Sequence, residues 1–132
     1  MLCRKPEDGH FDFMEEQGLG FIAFSPLAQG LLTNRYINGI PDDSRVAKSG
    51  VFLHREDITP EMVEKIKKLD AIAANRGQSL AQMSLAWILN NNVVTSVIIG
   101  ASSVSQLDDN LQAAANTPFS PEEISEIDRI IG

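Results

Sequence analysis

Two short apolar runs set the limits on what this chain can fold into. Gly20-Phe21-Ile22-Ala23-Phe24 is apolar throughout and stops at Ser25-Pro26. Val93-Val94-Thr95-Ser96-Val97-Ile98-Ile99 is rich in β-branched residues and stops at Gly100. Continuous apolarity, rather than alternation, predicts parallel strands covered on both faces.

Helical patterns surround the two runs. Thr59-Pro60-Glu61 supplies a cap, a helix-opening proline and an early acid, all favourable at a helix start. The stripe Val63, Ile66, Leu69, Ile72, Ala73 follows, and Gly77 ends it. Ser79-Leu80-Ala81-Gln82 reads as a capping box before the stripe Met83, Ala86, Trp87. Leu85, Ile88 and Leu89 make that helix apolar on most sides, so it should be well buried. Asn90-Asn91-Asn92 stops it. Ser103-Val104-Ser105-Gln106 repeats the capping-box pattern after the second strand. Ser120-Pro121-Glu122-Glu123 opens a last helix with the stripe Ile124, Ile127, Ile130, Ile131. Residues 9–17, with Phe11, Phe13 and Met14, predict a short helix before the first strand. The order is α/β winding with about two strand-helix units. Residues 34–58 form one long irregular region, a length usual for functional lids or disordered segments.

Composition narrows the function classes. The 132 residues carry 11 Lys and Arg against 18 Asp and Glu, a net charge of −7. That sign argues against generic nucleic-acid or anionic-membrane binding, which need a basic face. No apolar run approaches the roughly 18 to 20 residues of a membrane span, and residues 1–7 lack the apolar stretch of a signal peptide. The single Cys3 allows no internal disulfide, which points to a reducing cytoplasm.

Chemistry is expected at the turns that follow the strands. After the second strand come Gly100, Ala101, Ser102 and Ser103, then a helix start whose free N–H groups suit a phosphate. Helical spacing sets Gln106 and Asn110 on the same side as Asp109, where a planar hydrogen-bonding group such as adenine could be held. Taken alone, this reads more readily as an ordinary strand-turn-helix with a serine cap than as a phosphate site, and Ser25-Pro26-Leu27-Ala28-Gln29-Gly30 is only a turn.

Together the turns carry more. The stretches Gly20-Phe21-Ile22-Ala23-Phe24-Ser25-Pro26-Leu27-Ala28-Gln29-Gly30-Leu31-Leu32-Thr33, Gly39-Ile40-Pro41-Asp42-Asp43-Ser44-Arg45, Arg76-Gly77-Gln78-Ser79-Leu80-Ala81-Gln82-Met83 and Val94-Thr95-Ser96-Val97-Ile98-Ile99-Gly100-Ala101-Ser102 stand in one order. With Ala86-Trp87, Gln106-Leu107 and Asn110, they resemble the aldo-keto reductase family over essentially the whole chain. Within it they are most similar to the branch of bacterial L-glyceraldehyde-3-phosphate reductase-like enzymes and potassium-channel β-subunits.

The resemblance implies residues 1–132 of a C-terminal portion of a (β/α)₈ TIM barrel, incomplete here, with the two strands as its seventh and eighth. It implies NADP(H) across their C-terminal ends. The turn Phe24, Ser25, Pro26, Leu27, Ala28 and Gln29 would border the pyrophosphate, and Arg35 and Arg45 would belong to a strap over it. Gly100, Ser102, Gln106, Asp109 and Asn110 would receive the adenosine and its 2′-phosphate. Relatives carry Lys at position 35, and Arg alters the geometry while keeping the charge. They often carry Asn or Arg at the position of Ser103.

The family's Tyr, Lys, Asp and His, which reduce a small carbonyl substrate with hydride from the cofactor, all belong to the first half of the barrel. None maps onto this chain, so no catalytic residue is assigned. Tyr36, Lys48, Asp42 and His54 mimic the set in composition, but they lie in the irregular region, where Tyr36 is expected to pack an edge and His54 to be solvated. Cys3 and His10 are too isolated for a metal site. The resemblance begins just after the family's sixth strand, so Met1 corresponds to an internal methionine. Two strands cannot remove their own edges, so exposed apolar surface and association through strand edges are expected. The parent activity is thus carbonyl reduction, with this portion inactive alone. The alternatives are a non-enzymatic NADP(H)-binding or split-barrel module, or a decayed gene product.

Overall fold

The computed structural model describes residues 1–42, 44–48 and 53–132, with Arg45 and Lys48 described by their backbone alone. Helix α1 (His10–Glu16) leads into β1 (Phe21–Phe24). A long connection with a short helix α2 (Arg45–Lys48) precedes α3 (Pro60–Asn75) and α4 (Leu80–Leu89). Then come β2 (Val94–Ile98), α5 (Val104–Leu111) and α6 (Pro121–Ile131). Single 3-10 turns at Lys5–Glu7, Ala28–Gly30, Asn34–Tyr36, Arg55–Asp57 and Gln112–Ala115 punctuate the loops.

The helix starts follow from their caps. Thr59 Oγ1 accepts the N–H of Met62 at 3.1 Å, and Pro60 needs no acceptor at the first helical position. Ser79 and Ser120 form reciprocal capping boxes with Gln82 and Glu123. The pattern at Ser103 closes differently. Ser103 Oγ accepts the N–H of Gln106 at 3.2 Å, but Gln106 Oε1 accepts from Ser102 N at 2.8 Å, one residue further back. Gly77, at φ +67°, supplies the left-handed turn that ends α3.

β1 and β2 pair in parallel, with Phe24 opposite Ile98 and a register irregularity between Phe21 and Ile22. The expectation of strands covered on both faces fails. Ile22, Phe24 and Ile98 are 58%, 79% and 60% exposed. A two-stranded sheet has one face for the helices, and here nothing described covers the other. Phe11 meets Phe21 edge-to-face on the covered side, with centroids 5.2 Å apart.

The core sits among the helices instead. Ile66, Leu69, Ile72 and Ala73 of α3, Leu80 and Met83 of α4, and Ile127 of α6 pack with Leu32 and Met1. A second cluster joins Leu31, Tyr36, Val46 and Leu53 beneath the long connection. Arg4 pins the N-terminal segment to the helices of the first cluster: it pairs with Glu7 at 2.6 Å and with Asp128 of α6, and lies 5.0 Å from the centre of the Trp87 ring of α4. No helix among the described residues is long and apolar enough to cross a membrane.

Candidate functional site

Parallel pairing decides which turns meet. Because Phe24 stands opposite Ile98, the segments beginning at Ser25 and Gly100 leave the sheet at the same end. Neighbouring strands lie about 4.8 Å apart, so the two turns singled out from sequence are neighbours in space.

The turn after β1 carries unusual backbone. Ser25, Ala28 and Gln29 have φ of +49°, +48° and +59°. For residues with a Cβ such conformations cost on the order of 1 kcal/mol or more each, and they cluster here. The N–H of Ala28 bonds the Ser25 carbonyl at 3.0 Å, and that of Leu32 bonds the Leu27 carbonyl at 3.2 Å, which closes the turn on itself. Gln29 Nε2 reaches Ser25 Oγ at 3.4 Å. Phe24 and Ser25 are exposed, Leu27, Ala28 and Gln29 are half-buried, and Pro26 is buried. Thr33 Oγ1 donates to the Gly30 carbonyl at 2.6 Å and accepts from the N–H of Arg35 at 3.1 Å. Arg35 is exposed. The side chain of Arg45 lies outside the described residues, as do Asp43 and Gly50.

The turn after β2 presents donors. Gly100, Ser102, Ser103 and Gln106 are exposed, and α5 has no acid in its first turn. The first N–H groups of a helix have no partner within it, so an anion here meets unspent donors and the positive end of the helix dipole. Gln106 Oε1 also accepts from Ser102 Oγ at 3.0 Å, which joins two of the expected site residues directly.

Asp109 and Asn110 depart from the expected common face. Asp109 is exposed, yet its carboxylate is engaged by Gln82 of α4 at 2.8 Å. Asn110 is 4% exposed, and its Nδ2 has no hydrogen-bond partner among the described residues. Successive helix positions turn by about 100°, and the boundary between the inner and outer faces of α5 runs between these two. The sequence pattern does not reveal the contact of Gln82 with α5, because a capping box identifies only its local partner, Ser79. Its second partner is a tertiary contact.

A cavity of about 570 Å³ opens along the flank of β1, bounded by Phe21, Ala23, Ser25, Trp87, Asn91 and the N-terminal segment. Its lining is mostly apolar. Residues 36, 42 and 54, which imitate a catalytic set, have different environments: Tyr36 is 2% exposed in the second core cluster, while Asp42 and His54 are exposed. Tyr36 is therefore a core residue, not an edge one, because the long connection folds back over it. The side chain of Lys48 lies outside the described residues. Among the described residues no three His, Cys, Asp or Glu gather to hold a metal ion.

The chain is similar to known proteins. The chain is 45% identical over 130 residues to an L-glyceraldehyde 3-phosphate reductase of Escherichia coli K12, covering 95% of this chain and 37% of that enzyme. It is 35% identical over 130 residues to a probable voltage-gated potassium channel subunit beta of Oryza sativa, covering 96% of this chain and 40% of that protein. In three dimensions it matches the holo form of an aldo-keto reductase of Bacillus halodurans, with a TM-score of 0.70 and 29% identity, over 98% of this chain and 39% of that one. The chain thus spans about two fifths of the length of these relatives. The model of the aldo/keto reductase family matches residues 1–132 from end to end, and the chain belongs to that family.

Proposed function

We propose that this chain is the C-terminal part of an NADP(H)-dependent aldo-keto reductase barrel, with β1 and β2 as its seventh and eighth strands. In this reading it holds the pyrophosphate and adenosine end of the cofactor. The observation that carries the proposal is the pairing of Phe24 with Ile98, which sets the Ser25 and Gly100 turns side by side at one end of the sheet.

The residues present fit such a group. A phosphate finds the N–H groups of Val104 and Ser105, left over once Ser103 has capped Gln106, the hydroxyls of Ser102 and Ser103, and no acid in that first turn. By the family resemblance, Arg35 and Arg45 would add charge from a strap over the cofactor. A purine finds the amide nitrogen of Gln106, whose oxygen is held by Ser102, while Asn110 lies on the inner face of the same helix and would support it from behind. Phe24, Pro26, Leu27, Ala28 and Gln29 form the turn under the pyrophosphate. Its left-handed backbone keeps the segment compact beside the neighbouring strand.

The cofactor, when bound, would supply the hydride for reduction of a carbonyl substrate. The residues of this chain bind and orient it, and none of them moves the substrate's proton. We place the protein in a reducing cytoplasm, where a lone exposed Cys3 stays a thiol. Fluorescence titration with NADPH tests the reading. Binding should weaken in both Arg45→Ala and Ser102→Ala, and an affinity unchanged in both removes the site. Incubation with NADPH and glyceraldehyde 3-phosphate should give no turnover by this chain alone. Turnover abolished by Tyr36→Phe would overturn the absence of catalysis.

A further inference from the structure

We propose that Gln82 is a positioning residue for the α5 side of the site, acting through Asp109; this deepens the adenosine reading above and rests on it. One amide serves two helices. Gln82 Oε1 accepts the N–H of Ser79 at 3.0 Å and completes the cap of α4. Its Nε2 crosses to α5 and donates to Asp109 Oδ1 at 2.8 Å and to the Asp109 carbonyl at 3.0 Å. Ser79 Oγ stands 3.5 Å from Asp109 Oδ2. Both carboxylate oxygens therefore face α4, and Asp109 serves as the handle by which α5 is held.

The consequence reaches the site through the helix. Three residues before Asp109, Gln106 accepts from the backbone and hydroxyl of Ser102 and so fixes the turn after β2. A binding group is only as well placed as the contacts behind it. Gln82 fixes the roll and depth of α5, and α5 fixes Gln106 and Ser102. The role requires an acceptor and a donor on one side chain, at the reach of glutamine. Asp109 then influences a bound adenosine by where it holds the helix, not by touching the ligand.

A charge-swapped pair tests this. Gln82→Glu keeps the acceptor for Ser79 but removes the donor and sets two carboxylates together. Adding Asp109→Asn reverses the pair, with the new amide donating to the new carboxylate. Amide hydrogen exchange of Gln106 and Leu107 is measured in the free 132-residue chain, together with calorimetric titration of adenosine 2′,5′-bisphosphate. Exchange should rise and affinity should fall by about fivefold in Gln82→Glu, the scale of one ordinary hydrogen bond, since Asp109 is exposed. Both should return toward wild type in the double variant. Unchanged exchange in Gln82→Glu, or exchange still raised in the double variant, overturns the positioning role. Exchange restored without restored affinity overturns the indirect role of Asp109, because its own charge would then be the contact. Restored exchange in a chain whose wild type does not bind the bisphosphate upholds the positioning of α5 and overturns the cofactor reading instead.

Discussion

The guanidinium of Arg76 lies 3.7 Å from the centre of the Phe119 ring. The same group pairs with Glu123 at 2.8 Å and donates to the carbonyls of Asn116 and Pro118 at 3.2 and 2.9 Å. Its side chain is 5% exposed. One residue at the end of α3 thus fastens the whole approach to α6. Arg76→Ala should cost about 2 kcal/mol, because it takes the cation from the half-buried Glu123 carboxylate and the donor from the Pro118 carbonyl, while Ser120 still serves Glu123 and Gln78 still serves the Asn116 carbonyl. Arg76→Lys keeps the charge but loses the planar fork, and should recover less than half of that. Urea denaturation of the three proteins checks both values.

Glu123 makes the same junction sensitive to acid. Burial pushes its carboxyl up, but the Ser120 N–H, with the hydrogen bond and charge of Arg76, outweighs it and holds the group below its ordinary value of 4.5. A carboxyl whose pKa is lower folded than unfolded binds fewer protons in the folded state, so it stabilises the fold above the unfolded value. That contribution is complete above about pH 4.5 and is lost as pH falls through the lower folded value. Glu123→Gln should therefore be less stable than wild type at pH 7, with the gap closing below pH 4.5. Urea midpoints measured across this range give the answer, and a gap independent of pH would contradict it.

Gly20 is required by its neighbour across the sheet. A Cβ at this position would collide with Oγ1 of Thr95 and stand 3.2 Å from its Cβ. Its φ is not positive, so the demand is one of space and not of backbone freedom. Gly20→Ala should destabilise by about 1 to 3 kcal/mol through overpacking at the start of β1. Thr95→Ala clears most of the obstruction, so the double variant should be more stable than Gly20→Ala alone. Thermal melts of both variants decide it.

What was legible in the sequence follows the range of the interactions. Thr59, Ser79 and Ser120 act within four residues of themselves, and each caps the helix its pattern announced. Both strands lie within one residue of their apolar runs. The paired turns were legible because parallel strands must end on one side. Other features depended on distant partners. Gln106 turns to Ser102, Gln82 reaches Asp109, and Asn110 faces inward, each decided by how α4, α5 and β2 pack. Tyr36 looked peripheral because a long loop gives no periodic pattern. Its burial depends on Val46 and Leu53 folding over it. Apolar strand residues looked like core because composition cannot tell how many faces have cover.

That uncovered face has a measurable consequence. Ile22 and Ile98 are 58% and 60% exposed, and Phe24, opposite Ile98, is 79% exposed. Contiguous exposed apolar surface beside unpaired strand edges promotes association. The chain should therefore self-associate at micromolar concentrations, more strongly at high salt, where its net charge of −7 is screened. Ile22→Thr with Ile98→Thr keeps β-branching in both strands and makes the face polar. Neither side chain contributes to either buried cluster, so the double variant should melt within about 1 kcal/mol of wild type while its sedimentation shifts toward monomer. If both proteins sediment alike, association does not run through the sheet.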